Sequence, residues 1–423
     1  MEPQNTRPSR ENRLSLTAWC LYDWANSAFP TVITTFVFAA YFTKGVAVDV
    51  VSGTALWGWT ASISALAVAI IGPVLGAIAD HSGPRKPWLL VFTCLTAIAS
   101  ALLWTVTPEE ASITRALILV GIATFAFELG MVFYNAMLPD LASPDKLGRW
   151  SGWGWGLGYM GGLSCLALTL VGFVQTDTPW FGLNPDASEH LRATGPLVAI
   201  WMIVFAIPLF LFTPDRKKGL GLVAASRRGI ETLIATFKRI RDYANIVKFL
   251  FARMIYTDGL NTLFAFGGIY AAGSFGFSFE DLILFGIGIN VTAGIGAALF
   301  AWVDDWIGPK RTILISVTAL VLLSSALLVI ESVALFWVFG LALGVFVGPA
   351  QSASRSMMAH LAPAEMRTEM FGLYALSGKA TAFLGPALLA LMTEAFASQR
   401  AGMASILLFF VIGGVLLVFV KEK

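Results

Sequence analysis

Charge is scarce in this chain. Only 13% of its 423 residues are Asp, Glu, Lys or Arg, while 57% are hydrophobic; a soluble globular domain has about a quarter charged, so a water-soluble globule is excluded. Cysteine and histidine number three each. Cys20, Cys94 and Cys165 fall in or beside apolar runs with no CxxC pair, and His81, His190 and His360 stand at no metal-ligand spacing. Neither a disulfide framework nor a metal site is expected, and the cysteines read as packing residues. The net charge is +2 and no basic run is interleaved with aromatics, which removes nucleic acid as a partner. Gly372 to Ala380 is the nearest approach to a phosphate loop, but its glycine spacing is one residue too long, its Ser/Thr is missing and it lies in an apolar run. No cofactor or enzymatic activity is expected, and energy for uphill work must come from a gradient. Residues 1–13 are polar and basic and lead into a long apolar run without a signal-peptide cleavage site, so no removal is expected.

What the chain has is long apolar runs. About 20 helical residues cross a bilayer core about 30 Å thick, and on that rule the spans are 18–42, 54–79, 88–107, 113–138, 150–175, 196–213, 248–272, 282–303, 312–330, 333–351, 371–392 and 403–420. The expectation is an all-α membrane protein with twelve transmembrane helices in two six-helix bundles, 18–213 and 248–420, joined by a linker at 214–247 and flanked by tails at 1–17 and 421–423. The fifth span contains Ser151 to Gly158, which alternates as a strand would, but an unpaired strand in lipid leaves its backbone unsatisfied, so a helix is expected. Its glycines at 154, 158 and 162 form a small-residue stripe. With both termini in the cytoplasm, 22 of the 28 Lys and Arg residues fall in cytoplasmic segments against four on the other side, as the positive-inside rule asks. The stretch 230–240 of the linker reads as a basic amphipathic helix on the inner leaflet, or as a plain tether with a solvated charged face.

The two halves echo each other. Asp23-x-x-Asn26-Ser27-x-Phe29 returns as Asp258-x-x-Asn261-Thr262-x-Phe264, and each pair of Asp and Asn lies on one helix face. Gly76-x-x-x-Asp80-x-x-Gly83-x-Arg85-Lys86 after span two is matched by Asp305-x-x-Gly308-x-Lys310-Arg311 after span eight, and Leu141-Ala142 with Gly152 by Leu361-Ala362 with Gly372. Such repetition marks a fold built by duplication.

The paired loops resemble the signature loop of the major facilitator superfamily, and the resemblance covers all twelve spans. More narrowly, 22–29, 151–162, 264–270, 348–355 and 371–381 resemble the vacuolar amino-acid effluxers of autophagy and their bacterial permease relatives. His81 stands where the superfamily loop usually carries Arg. The resemblance implies a two-bundle carrier whose cavity is lined by spans one, four, seven and ten. There the chain places Asp23, Asn26, Glu128, Asn135, Arg253, Asp258, Asn261, Gln351 and Arg355, with Lys379 inside span eleven. An ionisable group at membrane depth costs at least about 2.5 kcal/mol and by default faces a bundle interior or a wet cavity.

Solute binding is expected from Asp23, Asn26, Asn135, Asp258, Asn261, Gln351, Arg355 and Lys379, and proton coupling from Glu128 with Asp23 or Asp258. The structural alternatives are a turn-satisfied Asp23, a Glu128 ion pair to Arg253 or Lys379, and a snorkelling Arg253. Gating is expected from the Gly76–Lys86 and Asp305–Arg311 loops: Asp80 would bond the N-terminus of a helix in the other half while Arg85 pairs with a carboxylate. A topogenic loop is the plainer reading. The chain is thus expected to move a small polar, amino-acid-like solute by alternating access, as a proton-coupled exporter and a monomer in the bacterial plasma membrane, with the bilayer, the solute and the proton as its partners. Sugar import by proton symport, a lipid flippase and a receptor are the alternatives.

Overall fold

The computed structural model describes residues 12–176, 178–238 and 240–422. Among them every regular element is helical, as burial of a backbone in lipid demands. The N-terminal half holds α1 (Arg13–Val46), α2 (Val50–Ser82), α3 (Lys86–Leu102), α4 (Ile113–Leu141), α5 (Leu147–Thr169) and α6 (Thr194–Phe212). The C-terminal half holds α7 (Ala244–Phe275), α8 (Phe279–Ile307), α9 (Pro309–Val329), α10 (Val333–Leu361), α11 in two pieces (Arg367–Ser377 and Leu384–Phe396) and α12 (Gln399–Val418). Ten of these stretches are long and apolar enough to cross a bilayer on length and composition. The other two miss for different reasons: α7 runs 32 residues but carries Lys248, Arg253 and Asp258, and α11 is cut at 378–383 into two pieces each too short to cross alone. With these two the chain makes twelve crossings, and the fifth is helical despite its alternating Trp and Gly.

Helix ends are set by local chemistry. Asn12 and Asp49 accept from the first free N–H groups of α1 and α2, satisfying donors that have no partner within the helix. The carboxyl of Asp49 is held below the usual range chiefly by the backbone and side-chain donors of Ser52. α2 ends at Gly83 (φ +95°) and α8 at Gly308 (φ +88°), left-handed positions that suit glycine alone. α1 widens to π-helical turns at Phe29–Phe36 and Phe42–Val46, a form that clusters at functional sites.

The halves meet along two glycine-lined crossings. On α2 against α11, a Cβ at Gly76 would lie 2.5 Å from Thr368 O, and one at Gly372 2.7 Å from Gly72 O. On α5 against α8, a Cβ at Gly152 would lie 2.5 Å from Ala297 O. Close backbone approach of this kind is what small residues supply where lipid offers no hydrophobic drive. The stripe at 154, 158 and 162 faces α1 instead, against Asp23, Ser27 and Thr31.

The linker helix spans Leu222–Lys238, beginning eight residues earlier than the sequence suggests; position 239 of the expected stretch lies outside the described residues. One stripe, with Ala225 and Leu233, is buried, and Gly229 abuts the backbone of Ala77 and Ile78 at the end of α2. His81 shares a 2.8 Å hydrogen bond with Thr232, so the residue that departs from the superfamily loop is used to seat the linker.

Candidate functional site

A heavily bonded buried charge at the centre of the interface is Arg355 on α10, 1% exposed. Its Nη1 donates to Asp23 Oδ2 on α1 at 2.9 Å and to Asn135 Oδ1 on α4 at 3.3 Å. Its Nε and Nη2 donate to Ser151 Oγ (2.9 Å) and Ser151 O (2.6 Å) at the start of α5. The guanidinium also lies 4.8 Å from the ring centre of Trp19 and 5.7 Å from those of Tyr134 and Trp155, using both the planar donor fork and the π-face that distinguish Arg from Lys. Gly154 makes room: a Cβ there would lie 2.6 Å from Asp23 Oδ2. Asp23, Asn135 and Arg355 are thus brought together, and the pair ties one half to the other.

Beyond this network, toward the face opposite the termini, a cavity of about 510 Å³ opens between the halves. The π-helical stretch of α1 supplies Pro30, Thr31, Thr35 and Phe36, and α5 supplies Trp155 and Tyr159. Its walls are largely apolar, with hydroxyls and one amide, Asn290, among them. Tyr159 donates to Gln351 Oε1 at 2.7 Å, which places Gln351 beside the cavity. A second cavity of about 270 Å³ is lined by Thr34, Trp57, Thr124, Glu128 and Lys379, and Lys379 Nζ meets Glu128 Oε1 at 2.8 Å. This pair also joins the halves.

The remaining expected residues lie elsewhere. Asn26 is buried and donates to Met131 Sδ, and Asn261 is exposed. Arg253 holds the C-terminal end of the first α11 piece, donating to Tyr374 O and Ser377 Oγ (both 2.7 Å) with its guanidinium 3.5 Å from the Tyr374 ring centre. Asp258 is buried and faces Thr381 in the α11 break. The three carboxylates expected to carry protons, Asp23, Glu128 and Asp258, have separate settings in this state, because Arg355, Lys379 and the α11 break draw them to different neighbours.

On the termini face the halves are closed by charge. Asp80 Oδ1 accepts from Thr368 N (3.1 Å) and Oγ1 (2.7 Å), and Oδ2 from Glu369 N (2.9 Å), at the positive N-terminus of α11. Asp305 accepts from Arg149 N (2.9 Å) at the start of α5 and faces its Nε at 3.2 Å. Arg85 bonds Asp140 (2.5 Å), Ala136 O and Thr368 Oγ1, so it both pairs with a carboxylate and reaches the other half. Each third helix is tied to the end of its own half in the same way: Asp215 accepts from Arg85 N and Lys86 N, Lys86 Nζ bonds Thr213 O, Glu422 accepts from Lys310 N, and Lys310 Nζ bonds Val418 O. Arg311 is exposed.

A family model described as "Vacuole effluxer Atg22 like" matches residues 41–423. The chain belongs to the Atg22-like effluxer family. It is 28% identical over 412 residues to "Uncharacterized MFS-type transporter YxiO" of Bacillus subtilis (strain 168), covering 96% of this chain and 94% of that protein. Identity to "Autophagy-related protein 22-1" of Penicillium rubens is 22% over 430 residues, covering 81% of this chain and 71% of that one. In fold the chain is similar to the proton:xylose symporter XylE (TM-score 0.74, 14% identity, 97% and 96% covered) and to FucP in the outward conformation (TM-score 0.73, 14% identity, 97% and 98% covered). This Atg22-like protein is accordingly a multi-pass membrane transporter of the major facilitator type.

Several residues of the Atg22-like architecture escape a reading of the sequence. Asp140 gathers Arg85, Arg216 and Arg367, and Arg216 of the linker also donates to Ala364 O of the C-terminal half at 2.9 Å. Ser151 and Tyr159 look like ordinary members of a Gly/Trp run. Their only signal is position: they lie on the span whose glycines already announce close packing.

Proposed function

We propose that the protein exports a small neutral amino acid or a similar zwitterion, coupled to protons, across a bacterial plasma membrane with both termini in the cytoplasm. The observation that carries this reading is the contrast between the two faces. Charged and polar contacts join the halves on the termini face, while a cavity sized for one small solute lies between them on the other. A carrier with one closed gate and one open vestibule works by alternating access. Apolar walls dotted with hydroxyls and an amide suit a solute with an aliphatic or aromatic side chain and a compact polar head. Membership among Atg22-like effluxers supports outward movement, and the sequence resemblance to amino-acid effluxers supports the solute class.

Glu128 is the proton carrier in this proposal. It lines a cavity, its lysine partner comes from the other half, and protonation would release that partner and loosen one tie between bundles. Asp23 is committed to Arg355 and acts as the floor of the solute path, with Asn135 and Gln351 beside it. Sugar import has fold likeness alone behind it, and a lipid path would be poorly served by the ionic floor.

Purified protein in liposomes, loaded with radiolabelled amino acids and given an inward proton gradient, tests the reading. Uphill efflux of a neutral amino acid, abolished by Glu128→Gln while counterflow survives, is expected; counterflow of xylose or fucose with none of any amino acid would overturn it.

A further inference from the structure

Asp258 is the repeat mate of Asp23, yet the two carboxylates have different company. Asp23 is met by Arg355. The residue in the place of Arg355 in the other half, 220 positions earlier, is Asn135, which carries no charge and itself accepts from Arg355. The duplication therefore leaves Asp258 without the arginine that its mate has. The three cations at depth in its own bundle are committed elsewhere, Arg355 to Asp23, Arg253 to Tyr374 and Ser377, and Lys379 to Glu128.

The carboxylate of Asp258 lies beside the hydroxyl of Thr381 and one helical turn from Thr262. Asp258 is 2% exposed, and its Oδ2 is buried without a hydrogen-bond partner. So are Thr262 Oγ1, one turn further along α7, and Thr381 Oγ1, in the α11 break that faces the carboxylate. The same break leaves the carbonyls of Gly378 and Ala380 without a backbone donor among the described residues. A buried carboxylate with no compensating charge is costly, and three orphaned oxygens in one place ask for a partner.

We propose that Asp258, Thr262 and Thr381, with carbonyl oxygens from the α11 break, bind one sodium ion. All-oxygen ligands suit a hard cation, and unwound backbone inside a carrier is where such ions are held. One carboxylate balances one positive charge; a divalent ion would leave a net charge in the low-dielectric interior. Packing beside the cluster is tight, since at Gly385 a Cβ would collide with Thr262 Oγ1 and lie 3.2 Å from Asp258 O, and a tight setting suits sodium better than potassium. The site is independent of which solute is carried.

Thermal unfolding of the purified full chain in detergent, with choline chloride replaced stepwise by NaCl or KCl at constant ionic strength, tests this. Sodium binding to the folded state raises the melting temperature in a saturable way, and potassium does not at the same concentrations. Asp258→Asn and Thr381→Val each raise the half-maximal sodium concentration at least about tenfold, the loss of one strong ligand contact. Thr381→Val keeps the side-chain shape and serves if Asp258→Asn does not fold. No sodium-specific shift in the unaltered protein, a shift equal for sodium and potassium, or an unchanged sodium midpoint in Thr381→Val each overturns the proposal. A melting temperature that follows pH and ignores sodium overturns it too, assigning Asp258 to a proton.

Discussion

Replacing Asp23 by Asn should open the closed face. The ion pair to Arg355 joins α1 to α10 at 2.9 Å with both side chains almost wholly buried, and because it crosses between the halves it should part when they separate on the termini side. Breaking a buried pair by removing one partner costs about 3–5 kcal/mol. Arg355 keeps Ser151, Asn135 and three aromatic rings, so the lower end, about 3 kcal/mol, applies. If that cost falls on the closed state and is relieved by solvation once the face opens, the equilibrium shifts about 150-fold toward the open form, a tenfold change for each 1.4 kcal/mol. Ser352 reports it, since its carbonyl accepts from Ser151 Oγ across the interface at 2.7 Å and its side chain is buried. In a background with Cys20, Cys94 and Cys165 replaced by Ala, Ser352→Cys should react with a maleimide about 100-fold faster when Asp23→Asn is added, provided opening is fast relative to labelling. The double change Asp23→Asn with Arg355→Met should recover much of the protection, because no buried charge is then left unpaired. A labelling rate within about threefold of the background, or a double variant as open as the single one, would refute the assignment of this pair as a state-specific tie.

Asp80→Asn and Asp305→Asn each remove a charge from a helix N-terminus, worth up to about 2 kcal/mol when partly buried, and each should speed Ser352→Cys labelling by about tenfold while lowering turnover more than solute affinity in counterflow. Gly372→Leu places bulk where a Cβ would lie 2.7 Å from Gly72 O; it should disfavour the closed crossing and give faster labelling too, whereas Gly58→Ala, which meets nothing within contact distance, should leave both labelling and transport unchanged. Glu128→Gln should abolish proton-driven uphill efflux and spare exchange, and the loss of both would point to the Lys379 pair as a structural strut.

The fold was legible because its determinants are periodic and local. Span length, the Lys/Arg bias and the repeated Asp-x-x-Gly loops each rest on a few neighbouring residues, and together they predict two bundles of six. Charges at membrane depth are also visible, since Asp23, Glu128, Asp258, Arg355 and Lys379 are conspicuous among apolar neighbours. Pairing is not. Asp23 and Arg355 are 332 positions apart, and the sequence offers Glu128 both Arg253 and Lys379 as partners without choosing. The break in α11 has a local sign, Gly385-Pro386: a proline has no N–H to give and clashes with the carbonyl four residues earlier, at Ala382, so a helix is interrupted just before it. What neighbouring residues do not show is how the first piece ends: Arg253 takes Tyr374 O and Ser377 Oγ, capping it from outside.

The duplication also shows where chemistry is most concentrated, because equivalent positions need not stay equivalent. Tyr159 and Lys379 are 220 positions apart, the same offset that relates Gly152 to Gly372 and Asn135 to Arg355. Each reaches across to the partner half: Tyr159 on α5 bonds Gln351 on α10, and Lys379 in the α11 break bonds Glu128 on α4. Glu128 and Gln351 stand within one helical turn of the same offset. One contact is neutral and has no proton to give at physiological pH; the other is ionic and can be switched by one. An unbroken α5 carries the neutral contact and a broken α11 the ionic one. Grafting the neutral pair onto the ionic place, with Glu128→Gln and Lys379→Tyr together, should therefore preserve the tie between halves and the protein's melting temperature while uncoupling solute movement from the proton gradient. If that double variant still drives uphill efflux on a proton gradient, the asymmetry between the halves is not the seat of coupling.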